Sequence, residues 1–539
     1  MSTSIARHIL EGMRLAGIRQ LFCLPGVQND DFFDAVVDNR DWLEVIVTRH
    51  EQGCAYLAMG AAMATGRPTA MCVVPGPGVL NAAAGLSSAC GGGARVLAIT
   101  GQIATRVLGR GIRVLHEIDD QPAVLAQVSK YVAAIRSAEG AVEVLQAAFD
   151  ALVSGTPRPV AIEVPQDLWG KAADGSMQAP IVSMPVPDVA TVDRVADMLR
   201  RAERPLIWVG TGAQDCAPAI RELAERLQAP VTTRRMGHGV MDELDPLFVP
   251  FSLAHRLWAD RDLVVGIGSR IEFPMTMWGT AGLNLVQINT DAAELDRHGI
   301  GTVGIHGDAA EVVPMLLDRI GDLQRPSRRN HLSSLRNDFF ADIAYLEPQL
   351  SYLAVLRDVL PDDAIMVEDV TQMTFAAHFA YPFRHPRTFQ STGFAGTLGA
   401  GVAQAIGAKA GAPDRTVVGV VGDGGFLFTA TELATAAQHR IAACIVVFND
   451  SAYGNVKRIQ SERYGPERTI ASTLQNPDFV AFAQSFGCFS ERVDSPEGLR
   501  EVLPRALAHH GPSVVEVTMP VVPSPWPFIV MPKVRLDPT

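Results

Sequence analysis

Two acidic residues at the ends of apolar runs offer the chemistry most legible in this chain. Gly422-Asp423-Gly424-Gly425 follows the run Thr416–Val421, and Asn449-Asp450-Ser451-Ala452-Tyr453-Gly454 follows Ile441–Phe448, with residues 425–448 between Gly424 and Asn449. A hard divalent cation that bridges a diphosphate takes oxygen ligands in near-octahedral geometry and leaves positions for phosphate and water. Asp423 and Asp450 supply side-chain oxygens for such an ion, and the backbone carbonyl of Ala452 a third ligand. Asn449, one position earlier, is the competing second side chain; Asp450 is taken here. The glycines at 422, 424 and 425 let backbone N–H groups approach phosphate oxygens closely. A lone Asp-Gly is an ordinary tight turn, and it is the distant acidic partner that favours a site.

Both apolar runs read as buried parallel strands, with a helical crossover over 431–439. That places both carboxylates at the carboxyl ends of strands, where open α/β sheets bind ligands. A third acid, Glu51, follows a strand over 43–48 and opens an Ala-rich helix. By itself it reads equally as a carboxylate at the positive end of a helix dipole.

Strand-like and helix-like segments alternate along the 539 residues, the mark of βα units around parallel sheets. Domains run ~100 to 200 residues, which suggests about three. The proline-containing stretch 177–188 and the polar stretch 322–334 divide the chain into 1–176, 189–322 and 340–539. The first and third units share a Gly-rich turn, an Ala-rich helix and buried strands, a hint of two related sheets. A formal charge of -12 argues against a nucleic-acid partner. No apolar run is long enough to span a membrane, and no charged region precedes an apolar signal core at the N-terminus. The seven cysteines show no CxxC pair or metal spacing, so a reduced, cytoplasmic protein is expected.

With the Asp423 and Asp450 motifs, three further segments resemble the acetolactate synthase, pyruvate oxidase and benzoylformate decarboxylase superfamily of thiamine-diphosphate enzymes. These are Phe22-Cys-Leu-Pro25-Gly26, Thr48-Arg-His50-Glu51, and Pro75-Gly76-Pro77-Gly78-Val-Leu-Asn81; Gly393-Phe-Ala-Gly396-Thr-Leu398-Gly399 extends the match into the last unit. The resemblance covers nearly the whole chain. It implies an α/β fold of three domains, each a parallel sheet flanked by helices: pyrimidine-binding, modified Rossmann-like central, and diphosphate-binding. It implies thiamine diphosphate and Mg²⁺ as cofactors, with Glu51 driving the aminopyrimidine to its imino form, a task for which a buried carboxyl of raised pKa is suited. Leu398 would wedge between the cofactor rings, the Gly396 carbonyl would meet the exocyclic amine, and Thr371 and Gln372 would touch the diphosphate and ring. Most relatives carry Asn where this chain has Asp450, so more negative charge surrounds the metal. In the family Glu51 would act on a cofactor held by another subunit, which implies an obligate homodimer and commonly a homotetramer.

The reaction implied is decarboxylation of a small 2-oxo acid through an enamine that is protonated, oxidised or added to a second carbonyl. His116 and Glu117 occupy a loop where relatives place polar groups over the thiazolium; a His there relays protons near neutral pH, and an ordinary surface loop is the competing reading. Val27, Gln28 and Val74 are similarly placed, and Val74 stands where some decarboxylases carry His, which weakens a benzoylformate-type assignment. In the middle unit, Arg204–Gly212 and Asp262–Arg270 resemble the family's dinucleotide fold. Flavin-binding relatives have Gly-Met-His-Gly where this chain reads Phe-Val-Pro-Phe-Ser-Leu-Ala-His after Asp245-Pro-Leu, which speaks against FAD. The expectation is a flavin-independent decarboxylase or carboligase resembling acetolactate synthase. A CoA-thioester lyase, thinly supported by Arg234-Arg235, is the alternative, and a silent regulatory subunit conflicts with retention of Glu51, Asp423 and Gly396. The tail 523–532, rich in proline and aromatics, reads as either a lid or a docking segment.

Overall fold

The computed structural model describes residues 3–536. Its apolar runs form three parallel sheets. The first contains β1 (Gln20–Cys23), β2 (Glu44–Val47), β3 (Thr69–Val73), β4 (Val96–Gln102), β5 (Tyr131–Ala134) and β6 (Val160–Pro165), in the order β2-β1-β3-β4-β6-β5. The central sheet contains β7 (Pro205–Val209), β8 (Val231–Thr233), β9 (Leu263–Ile267), β10 (Asn284–Asn289) and β11 (Val303–His306), ordered β8-β7-β9-β10-β11. The last contains β12 (Ile365–Glu368), β13 (Phe389–Gln390), β14 (Val417–Gly422), β15 (Cys444–Asn449), β16 (Phe489–Val493) and β17 (Ser513–Thr518), ordered β13-β12-β14-β15-β17-β16. Counted within each sheet, the first and last share one strand order, which gives structural substance to the resemblance between the two units. Strands such as Val-Val-Gly-Val-Val-Gly are apolar throughout because helices cover both faces of a parallel sheet.

The helices that frame the site are α1 (Glu51–Thr65), α2 (Pro77–Gly92), α3 (Phe251–Trp258), α4 (Gln372–Ala380), α5 (Gly401–Gly411), α6 (Asp423–Thr429) and α7 (Gly454–Tyr464). Every α1 residue from Gly53 to Ala64 is buried, as expected of a helix apolar on all sides. Its core is shared: Phe22 and Ile46 of the first sheet, α1, α5 and Val417 of the last sheet belong to one buried apolar cluster. Alanines and glycines make this crossing tight. A Cβ at Gly60 would strike the Gln404 carbonyl oxygen, and one at Gly407 would strike the Leu57 carbonyl, so two backbones touch where the first and third units meet.

Residues 174–188 contain no helix or strand. At the second break the helix Arg329–Ile343 continues through position 340, where the third unit was expected to begin. Its polar composition reflects an exposed face, while Leu332, Phe339 and Ile343 are buried. Among the described residues no helix is long and apolar enough to cross a membrane. All seven cysteines are free, and six are buried.

Replacing Gly60 or Gly407 by Ala tests the crossing. In an open helix the change stabilises by ~0.5–1 kcal/mol, whereas overpacking a close contact costs about 1–3 kcal/mol. Denaturant unfolding should show both variants destabilised, and a gain in stability would contradict the contact.

Candidate active site

The first cluster of polar groups lies at the carboxyl edge of the first sheet. β2 ends at Val47, His50 caps α1 by accepting from the Gln52 N–H at 3.1 Å, and Glu51 is the first helical residue. The Glu51 carboxylate is half-buried and accepts from Asn81 Nδ2 on α2 at 3.1 Å. Gly78, in the first turn of α2, has no side chain between Val74 and Glu51: a Cβ there would lie 2.8 Å from Val74 Cγ2 and 3.7 Å from Glu51 Oε1. Gly26 packs against the same valine, while Pro25 and Val27 beside it are exposed. Gln28 is buried instead; its carbonyl accepts from Trp169 Nε1 at 2.8 Å and its Oε1 has no partner.

The 116 loop folds back onto this cluster. Gly76 has φ +61°, and a Cβ on it would strike the carbonyl of His116, so only glycine admits the loop. His116 itself has φ 68°, a conformation that non-glycine residues hold only where their surroundings impose it. Its Nδ1 is buried without a partner. Glu117 accepts from the Val114 N–H at 2.9 Å. Gln121, unmarked in the sequence, braces both pieces by accepting from Gly76 N at 2.8 Å and donating to Gly101 O and to the buried Glu163.

The second cluster lies at the carboxyl edge of the last sheet. β14 runs into Gly422, and α6 starts at Asp423, so Gly424 and Gly425 belong to a first helical turn whose N–H groups lack intrahelical partners. Gly424 packs against the Tyr453 ring and Gly425 against the Asp369 carboxylate. Asp423 is buried and Asp450 reaches solvent. The two carboxyls interact; burial pushes both up, and the neighbouring Asp423 charge helps raise Asp450 to about 6. A divalent cation between them would remove that repulsion. Among the described residues no three His, Cys, Asp or Glu groups converge, so an ion held here would draw its remaining ligands from backbone, water or a bound anion.

Asn449 is already committed: its Oδ1 accepts from Ser451 N and from Asn476 Nδ2, and its Nδ2 donates to Glu516. Asn476, far along the chain, also donates to Asp423 Oδ2 at 2.7 Å and thereby ties the two motifs together. The turn that carries Asp450 is pinned by Tyr453 N to Ser472 O and Leu474 N to Ser451 O.

Asp369, at the end of β12, supports the next loop. Its buried carboxylate accepts from Gly399 N at 3.0 Å, Gly401 N at 3.3 Å and Val370 N at 2.8 Å, and burial raises its pKa to about 6. Gly396 in this loop is exposed with φ 56°, and Leu398 is half-buried. Thr371 caps α4 through a capping box with Thr374, and the Oε1 of Gln372 is buried without a partner. Within the chain the Glu51 and Asp423 carboxylates bond to different neighbours, Asn81 and Asn476.

Where the middle unit meets the other two, a cavity of about 260 Å³ is lined by Arg234, Gly268 and Arg270 of the middle unit, Met63 and Gly92 of the first, and Phe394 of the third, among others. The stretch read as replacing the flavin-contact segment runs into α3, whose Phe251, Leu253 and Ala254 are core. α3 also receives the tail: Ser252 donates to Phe528 O and His255 contacts Pro532 O, while Trp526 meets Phe375 of α4 edge to face and lies under Arg458 of α7. The tail is docked along 526–535.

Asp369→Ala leaves the buried N–H groups of Gly399 and Gly401 and the part-buried one of Val370 unpaired and should cost about 2–3 kcal/mol in denaturant unfolding; unchanged stability would show that the loop does not depend on this carboxylate.

Three family models match the chain: thiamine pyrophosphate enzyme N-terminal TPP binding domain over residues 3–124, central domain over 192–316, and C-terminal TPP binding domain over 369–517. The chain is 30% identical over 519 residues to the probable 2-ketoarginine decarboxylase AruI of Pseudomonas aeruginosa, covering 93% of this chain and 91% of that one. It is 30% identical to a probable acetolactate synthase large subunit of Methanocaldococcus jannaschii, covering 96% and 93%, and 28% identical to the acetolactate synthase isozyme 2 large subunit of Escherichia coli, covering 97% of each. With three parallel-sheet units in the matching order, the chain belongs to the thiamine-diphosphate-dependent enzymes of the acetolactate synthase, pyruvate oxidase and benzoylformate decarboxylase superfamily.

Proposed function

We propose that the protein is a Mg²⁺- and thiamine-diphosphate-dependent decarboxylase or carboligase acting on a small 2-oxo acid. The observation that carries this reading is the facing pair Asp423 and Asp450 beside the open first turn of α6. Bound thiamine diphosphate supplies a carbon nucleophile and an electron sink for decarboxylation. Asp423, Asp450 and the Ala452 carbonyl hold Mg²⁺ in this reading; Asp450 is preferred to Asn449 because the Asn449 amide is spent on Ser451, Asn476 and Glu516. The N–H groups of Gly424 and Gly425, with Gly422, Thr371, Gln372, Tyr453 and Gly454, cradle the diphosphate. Gly396 and Leu398 orient the rings, and Pro25 and Gly26 flank the pyrimidine.

Glu51 holds a proton at the pyrimidine ring nitrogen. His116 and Glu117 move protons over the substrate, with Val27, Val74 and Gln28 lining or backing its pocket. Supporting a self-partner, exposed Val27, Leu80, Ile112 and Leu115 surround the Glu51 cluster, and exposed Leu427 and Phe428 follow Asp423. A second copy covering these patches gives an obligate homodimer, assembled further into a homotetramer. The reading is flavin-independent, given α3, and places the seven reduced thiols in the cytoplasm. A free 2-oxo acid is preferred to a CoA thioester because the relatives are named as acetolactate synthases and a 2-ketoarginine decarboxylase.

The test is CO₂ release with product identification by mass spectrometry across 2-oxo acids, including one with a guanidinium side chain, with and without added aldehyde or ketone. An aldehyde alone identifies a decarboxylase, and a hydroxyketone or 2-hydroxy-3-oxo acid a carboligase. No turnover of any free acid would contradict the proposal. Glu51→Gln should fold and bind cofactor yet lose on the order of 10²-fold or more in kcat; wild-type turnover would remove Glu51 from the mechanism. Asp423→Ala should weaken Mg²⁺-dependent thiamine-diphosphate binding by at least roughly tenfold to a hundredfold, the loss typical even of groups one shell further out. Unchanged binding in calorimetry would refute the metal assignment.

A further inference from the structure

We infer that Glu432 is a positioning residue for Glu51, holding through the Arg49 and His50 amides the turn from which Glu51 projects. The inference rests on the cofactor-activating role proposed for Glu51. Glu432 is fully buried and closes the short helical turn Ala430–Glu432 that follows α6 directly. Its Oε1 accepts from His50 N at 3.0 Å and Arg49 N at 3.1 Å; its Oε2 accepts from Arg49 N at 3.2 Å and Thr435 Oγ1 at 2.6 Å.

Gly53 makes this approach possible, since a Cβ there would strike Glu432 Oε1. Two neighbours extend the attachment: His439 Nε2 accepts from Val47 N at 3.0 Å, and Gln438 Oε1 accepts from Arg49 Nη2 at 2.6 Å. The passage from β2 into α1 is therefore fastened to the third unit at Val47, Arg49 and His50, up to the position before Glu51. A carboxylate removed from water at this depth is retained by the donors that surround it, and those donors are in turn fixed by it. Glu432 has no hydrogen bond to the Glu51 side chain, whose bond is to Asn81, so its effect travels through the backbone. The segment 423–432 thus begins with the carboxylate assigned to the metal and ends with the one that supports the Glu51 turn.

Three measurements on the full-length protein test this: amide hydrogen exchange of residues 47–53 without cofactor, thiamine-diphosphate affinity with Mg²⁺, and exchange of the thiazolium C2 proton of bound cofactor in D₂O. Glu432→Gln should speed amide exchange and slow C2 exchange roughly tenfold to a hundredfold, as about 1 Å of misplacement does, while affinity changes less than about threefold. Thr435→Val keeps the carboxylate, removes one anchor, and should give a smaller loss of the same sign; it serves where Glu432→Gln does not fold. Because Glu432 acts through Glu51, the double variant Glu51→Gln/Glu432→Gln should exchange C2 no more slowly than Glu51→Gln alone. Wild-type C2 exchange in a folded Glu432→Gln or Thr435→Val, or additive losses in the double variant, would overturn the inference and leave the proposed function standing. A wild-type protein that binds no thiamine diphosphate would overturn both.

Discussion

The backbone contact between α1 and α5 is the constraint on which the rest of the structure depends. Side chains at Gly60 and Gly407 would push the first and third units apart, and with them the elements that emerge from the crossing. α1 begins with Glu51, and α5 begins just after the loop carrying Gly396 and Leu398. Packing at this density transmits small displacements rather than absorbing them. The alanine and glycine content of both helices follows from that requirement rather than from helix propensity, which would disfavour the glycines.

Around this crossing, buried carboxylates act on backbone rather than on cationic side chains. Asp369 gathers the N–H groups of Val370, Gly399 and Gly401, and Glu432 those of Arg49 and His50. Each fixes a loop whose own sequence is too small or too glycine-rich to fix itself. Charge-assisted bonds to N–H groups suit this purpose because they are short and directional. Asp423 and Asp450 differ in kind: they interact with each other, burial raises the cost of ionising both, the Asp423 charge adds to that cost at Asp450, and a cation between them would relieve it.

Much of the fold was legible from the sequence because buried parallel strands are largely apolar, and two of them end in the Gly422-Asp423 and Asn449-Asp450 steps. Glu51 at the start of an Ala-rich helix was equally readable, as was the placement of both acids at strand ends. Asn476, Gln121 and Glu432 carried no local signal, since each acts on residues distant in sequence. The helix Arg329–Ile343 that runs through position 340 carries no clear apolar pattern, because its few buried positions are spread over several turns. The burial of Gln28 could not be read from its neighbours Pro25 and Val27, which are exposed. The tail's aromatic residues did not reveal their partners, which lie on α3, α4 and α7.

The central claim is that one chain holds two separate halves of the site, a Glu51 half and an Asp423 half, completed by a second copy. Mixing two inactive variants, Glu51→Gln and Asp423→Ala, through unfolding and joint refolding measures this directly. Random pairing makes half the dimers mixed, each with one intact site of two, so the account predicts recovery of about a quarter of wild-type activity. A mixture as inactive as either parent, in a sample shown to contain mixed dimers, would contradict it.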